Sequence, residues 1–147
     1  MFKKILFTDL DDTLFQSRRK CPEVDNLLPA AYLQDGTPHS FQTQQQARLL
    51  QSFMDEMIVI PVTARNLSAF QRVRIGFKHG AILNFGGTIL DPQGQVNATW
   101  LDKSAKLSAE FSEALNKVCE WAHTQADAQR IRLKIKIIND HGCAFYL

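Results

Sequence analysis

Three acids, Asp9, Asp11 and Asp12, directly follow the apolar run Ile5-Leu6-Phe7-Thr8. Like charges this close repel unless a cation or a proton intervenes. Asp9 and Asp11 are two apart, so an extended backbone points both the same way and lets them converge on one site. A hard cation such as Mg2+ suits carboxylates of this kind and recruits substrate phosphate. One carboxylate can then attack phosphorus, giving an acyl phosphate that water hydrolyses. The other, when protonated, can give a proton to the leaving oxygen and later take one from water. A solvated turn is the plainer reading of such a cluster. A hydrophobic strand that runs straight into the acids favours the chemical one.

The elements that must position these acids follow from periodicity. Ile5 to Thr8 reads as a fully buried parallel strand with function at its carboxyl end. Residues 16–41 look irregular, with Pro22, Pro29 and Pro38, apart from a hairpin signal at Asp35-Gly36 that predicts a small flap over the first strand's end. Residues 43–57 predict a helix with Leu50, Phe53, Met54 and Met57 on one face. Ile58-Val59-Ile60-Pro61-Val62 is a second buried strand, and Pro61 places it near an edge or a strand end. It stops at Thr63-Ala64-Arg65-Asn66, after which a helix is expected to about Ile75. Gly80 to Asn84 gives a third strand, and Gly86-Gly87 turns the chain into Thr88-Ile89-Leu90. This order predicts an α/β layer fold with a parallel sheet.

After Asp91-Pro92-Gln93-Gly94 the pattern changes. A helix is expected over 104–123, with Leu107, Phe111, Leu115, Val118 and Ala122 on one stripe and Asp102 or Ser104 as N-cap. Ile131, Leu133, Ile135 and Ile137 alternate with Arg130, Arg132, Lys134 and Lys136, the mark of a half-buried strand whose basic row is solvated. A turn at Asn139 to Gly142 leads into a last strand from Cys143. The boundary therefore falls near Asp91, separating residues 1–90 from an α+β module at 91–147. Ending on Phe145-Tyr146-Leu147, the chain reads as cut there or completed by another chain, which leaves open a homo-oligomer through the incomplete sheet edges.

Bulk properties narrow the classes. Hydrophobic residues make up 45% and charged residues 22%, a globular balance that excludes disorder. A net charge of +2 gives no case for a nucleic-acid partner, and no apolar run is long enough to span a membrane. The basic then apolar start, Met1 to Phe7, is too short in its apolar part for a signal peptide. Cys21, Cys119 and Cys143 have no paired spacing, which fits reduced thiols and a cytoplasmic location. His39, His79, His123 and His141 are dispersed without metal spacing. Trp100 and Trp121 suit a core or an interface.

Phe7-Thr8-Asp9-Leu10-Asp11-Asp12-Thr13-Leu14 resembles motif I of the haloacid dehalogenase (HAD) superfamily, DxDx(T/V) after an apolar strand. The resemblance implies that Asp9 is nucleophile and Mg2+ ligand. It makes Asp11 the general acid/base and a second contributor to the metal, with the segment Leu10, Asp12 and Thr13 cradling phosphate. Asp12 stands where many such phosphatases have glycine. Val62-Thr63-Ala64-Arg65 is similar to motif II, in which the Thr63 hydroxyl would bind the transferring phosphoryl group. Thr63-Ala64-Arg65 further resembles the Cof-like, sucrose-phosphate-phosphatase-like branch. Arg65 is then either a phosphate or substrate contact or a helix-start residue paired with a surface acid. Asn84-Phe85-Gly86-Gly87-Thr88-Ile89 resembles the segment before the cap in that branch and adds Asn84 and Gly86 to the phosphate or substrate side.

By this resemblance the fold is a Rossmann-like HAD core, incomplete here, with the start of a C2-type cap. The activity implied is Mg2+-dependent hydrolysis of a small phosphorylated metabolite, a sugar phosphate favoured, through an aspartyl-phosphate. A phosphosugar mutase would share the nucleophile. The family also needs a Lys (motif III) and a late acidic pair (motif IV), expected beyond Leu147; Asp127 and Asp140 are not assigned to that pair. Weak or no activity is therefore expected of these residues alone, and the alternative is a catalytically inactive binding or assembly module.

Overall fold

Two apolar strands pairing in parallel organise the first part of the chain. In the computed structural model, which describes residues 4–23 and 25–147, β1 (Ile5–Thr8) lies beside β5 (Ile58–Pro61), with Thr8 opposite Pro61. The Met1-Phe2-Lys3 part of the N-terminal segment lies outside those residues. Pro61 closes β5, where a missing N–H interrupts the ladder least. The parallel pairing continues one step further, because the Val62 amide donates to the Thr8 carbonyl at 2.8 Å. Both strands therefore deliver their following loops to the same edge.

Beyond β5, Val62 bridges Ile82 in parallel, and the Thr63 amide donates to the Ile82 carbonyl at 2.9 Å. Ile82 belongs to β6 (Ala81–Leu83), which turns back antiparallel into β7 (Thr88–Leu90). The protein is thus mixed α/β, with a small parallel sheet and several antiparallel ones. Complete burial of β1 is not observed. Ile5 and Phe7 stay 57% and 58% exposed, because among the described residues β1 pairs with β5 alone.

Residues 16–42 form an antiparallel flap, more regular than its prolines suggest. β2 (Gln16–Ser17) and β3 (Leu28–Tyr32) flank β4 (Pro38–Gln42). The Asp35 carboxylate accepts from the Thr37 amide at 2.9 Å, and Gly36 takes φ +82° at the tip. Those bonds from Thr37 hold the Asp35 carboxyl below its ordinary value. The flap's inner residues, Ala30 and Ala31, pack on Leu10 and Phe15, all four essentially fully buried. Gln42, also buried, donates its side-chain amide to the Leu14 carbonyl at 2.9 Å.

α1 (Gln44–Glu56) begins at a capping box in which Thr43 and Gln46 each satisfy the other's backbone amide. α2 (Leu67–Phe70), capped by Asn66, has only four residues and does not reach Ile75. The flap takes the backbone that follows: Tyr32 donates to the Arg72 carbonyl, Arg74 donates to Ala30, and Val73 bridges Ala31. Those peptide groups cannot serve a helix as well.

The chain divides into compact units at Met1–Asn97 and Ala98–Leu147. In the second, α3 (Ala98–Ala128) starts earlier than its cap candidates suggest, so Asp102 and Ser104 lie inside it. It stops in a Schellman arrangement: Ile131 donates to the Ala126 carbonyl and Arg130 to Asp127, with Arg130 at φ +54°. The strand expected over 131–137 is absent. Only β8 (Ile138–Asp140) pairs, with β9 (Cys143–Tyr146). The alternating run begins on a helix stop and finds no partner strand, so period two alone does not make it a strand.

The face of α3 is the larger surprise. Ser108 meets the hairpin, its hydroxyl accepting from the Ala144 amide at 2.7 Å, and Ala126 is buried. Leu107, Phe111 and Val118 remain half-exposed or more. No helix among the described residues is long and apolar enough to cross a membrane.

Candidate functional site

The acids at the end of β1 are displayed by burying what lies between and behind them. Leu10 and Phe15 are wholly buried, while Asp9, Asp11 and Asp12 are exposed. The loop closes on itself: the Leu10 carbonyl accepts from Leu14 at 2.9 Å and more weakly from Thr13 and Phe15. The Asp12 amide donates to the Phe15 carbonyl at 2.8 Å, so it is used inside the turn. Asp12 sits at φ +61°, in the left-handed region that glycine adopts without cost and aspartate tolerates better than most. That conformation accounts for an aspartate where a glycine would be expected.

Each acid has a different neighbour. Asp11 is gripped by Arg65 through two parallel bonds, Nε to Oδ2 at 2.7 Å and Nη2 to Oδ1 at 2.8 Å. The same guanidinium donates to the Ala69 carbonyl at 3.2 Å and lies over the Phe15 ring, 5.3 Å from its centroid. Of the two roles open to Arg65, this geometry realises the ion pair with an acid, and that acid belongs to the cluster. Asp12 pairs with Lys20, in the 3-10 turn Arg18–Lys20 that follows β2. Among the described residues the Asp9 carboxylate has a long contact from the Thr13 hydroxyl, 3.5 Å to Oδ2.

Thr63 is buried beside this loop. Its hydroxyl accepts from the Arg65 amide at 3.2 Å, and its carbonyl accepts from Phe85 at 3.2 Å. Ala64 occupies the half-buried position between Thr63 and Arg65. Asn84 is buried; its amide donates to the Arg65 carbonyl at 3.1 Å and its side chain to the Thr88 hydroxyl at 3.0 Å. Asn84, Phe85 and Gly86 run consecutively through positive φ, at +52°, +54° and +97°. Main-chain bonds therefore link the Thr63 to Arg65 segment to the Asn84 turn, and Arg65 links it to Asp11.

For a hard cation the fit is partial. Among the described residues no three His, Cys, Asp or Glu side chains are grouped to hold an ion. Asp11 and Asp12 already carry cationic partners, so Asp9 is the carboxylate left for Mg2+. Any share that Asp11 takes falls to its main-chain carbonyl unless Arg65 lets go. Lys20, Phe15 and Gln42 were not marked by the sequence. Lys20 follows no spacing rule, and only the left-handed Asp12 hints that its side chain leaves the loop in an unusual direction.

Two clefts lie elsewhere. One of about 420 Å3 is lined by Leu67, Phe70, Phe77 and Gln95, and one of about 360 Å3 by Ser108, Ser112, Asn116 and Asn139. Neither is lined by an acid of the loop. In comparisons with known proteins, no family model and no curated protein matches this chain.

Proposed function

We propose that the loop after β1 is the phosphoryl-transfer site of a HAD-type, Mg2+-dependent phosphatase acting on a small phosphorylated metabolite, a sugar phosphate favoured. The observation that carries this reading is the parallel register of β1 and β5. It brings Asp9 and the buried Thr63 to one edge, with Arg65 joining the two loops. In this reading the first unit is part of a Rossmann-like HAD core, and the second is the start of a cap. Three free cysteines suit a cytoplasmic setting.

The chemistry assigns a role to each residue. An Asp9 carboxylate oxygen attacks phosphorus, and the bond to the ester oxygen breaks. That oxygen takes its proton from Asp11, leaving an acyl phosphate on Asp9. Water then attacks phosphorus, gives its proton to Asp11, and frees Asp9 and inorganic phosphate. Mg2+, held by Asp9 and Asp11, would neutralise the phosphate charge that repels the nucleophile. For Asp11 to deliver a proton, Arg65 must release at least one of its oxygens. An incoming phosphate, which the same guanidinium can bind, provides the competing anion.

A second reading has its own support. With Asp11 and Asp12 both engaged by cationic side chains, the fold also suits a binding or assembly module without catalysis. Fluorine NMR of the chain with beryllofluoride and Mg2+ separates the two. The phosphatase reading expects a bound signal that Asp9→Asn abolishes. A wild-type chain that gives no metal-dependent signal would favour the module.

A further inference from the structure

The exposed apolar residues of α3 are not scattered. Ser104, Leu107, Phe111, Ala114, Val118 and Trp121 recur at alternating intervals of three and four, the spacing of a coiled-coil seam. At about 100° per residue, this seam lies roughly a quarter-turn round the helix from the Ser108 and Ser112 face on the hairpin side. Leu107, Phe111, Val118 and Trp121 are 57%, 53%, 50% and 64% exposed, so the helix keeps its largest side chains out of its own unit's core. A contiguous stripe of this kind marks an interaction face.

We infer that this seam pairs antiparallel with the same seam of a second copy of the chain. The charges flanking it choose both the orientation and the register. Lys103, Glu110 and Lys117 border the seam on its solvent side; Ser108, Leu115 and Ala122 border it on the side of the hairpin. A parallel pair would set each charge opposite one of those uncharged residues. An antiparallel pair sets the charged border against itself. Centred between Ser112 and Glu113, it places Glu110 opposite Lys117 of the second copy, twice over by symmetry. Sliding by one heptad either way brings Glu110 onto Glu110 with Lys103 onto Lys117, or Lys117 onto Lys117. Of these three only the centred register is attractive; a slide of two heptads would set Glu110 against Lys103 but leaves Val118 and Trp121 beyond the paired stretch.

Side-chain sizes agree with that register. Phe111 then faces Ala114, Trp121 faces Ser104, and Leu107 faces Val118, so large meets small at two layers and medium meets medium at the third. Lys117 now bonds its own neighbour Glu113, in a pair more than 70% exposed at both ends. Such a pair is worth little and is readily exchanged. The interface is independent of the phosphatase reading and distinct from any pairing through sheet edges.

Sedimentation equilibrium of the full chain tests it. The expected result is a dimer that Glu110→Lys and Lys117→Glu each weaken by roughly tenfold or more, with the double exchange restoring it. Phe111→Glu should give a monomer with an unchanged far-ultraviolet spectrum, an independent readout should a charge variant misfold. A wild-type chain that is monomeric at roughly 100 μM overturns the proposal, since that is far above the dissociation constant of an ordinary specific dimer. So does a dimer indifferent to both charge reversals and to Phe111→Glu, because another surface would then hold it.

Discussion

The loop at residues 9–15 and the helix at residues 98–128 solve opposite problems. In the loop, exposed acids ride on wholly buried Leu10 and Phe15, so apolar anchoring serves polar display. On α3 the hairpin is met by small and polar residues, while Phe111 and Trp121 face outward. The same residue type, phenylalanine, is therefore a foundation at position 15 and a surface at position 111. Hydrophobicity identifies neither role without knowing which face the neighbouring chain has already taken.

The largest expected effect sharpens this contrast directly. Phe15→Ala should cost about 3–5 kcal/mol, as large core truncations do. Phe111→Ala, measured at a dilution that prevents association, should stay within about 0.5 kcal/mol, as surface changes do. Denaturant titration of both variants checks the pair, and equal losses would erase the distinction. A smaller effect is expected at Arg65. Its bidentate bond to half-exposed Asp11 and its packing on Phe15 together suggest a loss of about 1–2 kcal/mol for Arg65→Ala, where Arg65→Lys retains the charge but not the fork. Equal stability of the Lys and Ala variants, with both below wild type, would show that the fork and not the charge matters.

The smallest effect concerns the second unit and pH. Desolvation, and after it the charge of Asp140, raises Tyr146 above the ordinary 10.0. The folded hairpin therefore favours the neutral phenol. Its contribution is complete below pH 10.0 and is lost as pH climbs through the raised value. The melting temperature should fall over that alkaline range more steeply in wild type than in Tyr146→Phe. Identical profiles would remove Tyr146 from the account.

Much of the first unit was legible because local signals and tertiary partners agreed. The apolar face of the helix over residues 43–57, the Asp35-Gly36 turn and the apolar runs at Ile5 and Ile58 each specify one element, and each is found. The acid cluster stood out by its position after an apolar run, whereas Thr63, Arg65 and Asn84 were marked by motif resemblance alone. What failed was decided at a distance. α2 ended early because the flap claimed the peptide groups of Arg72 to Arg74. The run from Ile131 to Ile137 did not become a strand, since Arg130 completes a helix stop and no other strand lies alongside. Lys20 was invisible because its partner, Asp12, points where only a left-handed residue can point.

The bond from Gln42 to the Leu14 carbonyl has a practical consequence. It spans 28 residues of sequence and joins the last residue of the flap to the turn that carries the acids. On the phosphatase reading proposed above, Gln42 should therefore score beside Asp9 and Asp11 in a saturation scan for loss of function although it carries no chemistry. A reader of that scan alone would place it in the reacting centre. Gln42→Glu is the telling substitution: it keeps the shape but replaces the donor with an acceptor, and so turns a tie into a repulsion at the loop's own carbonyl.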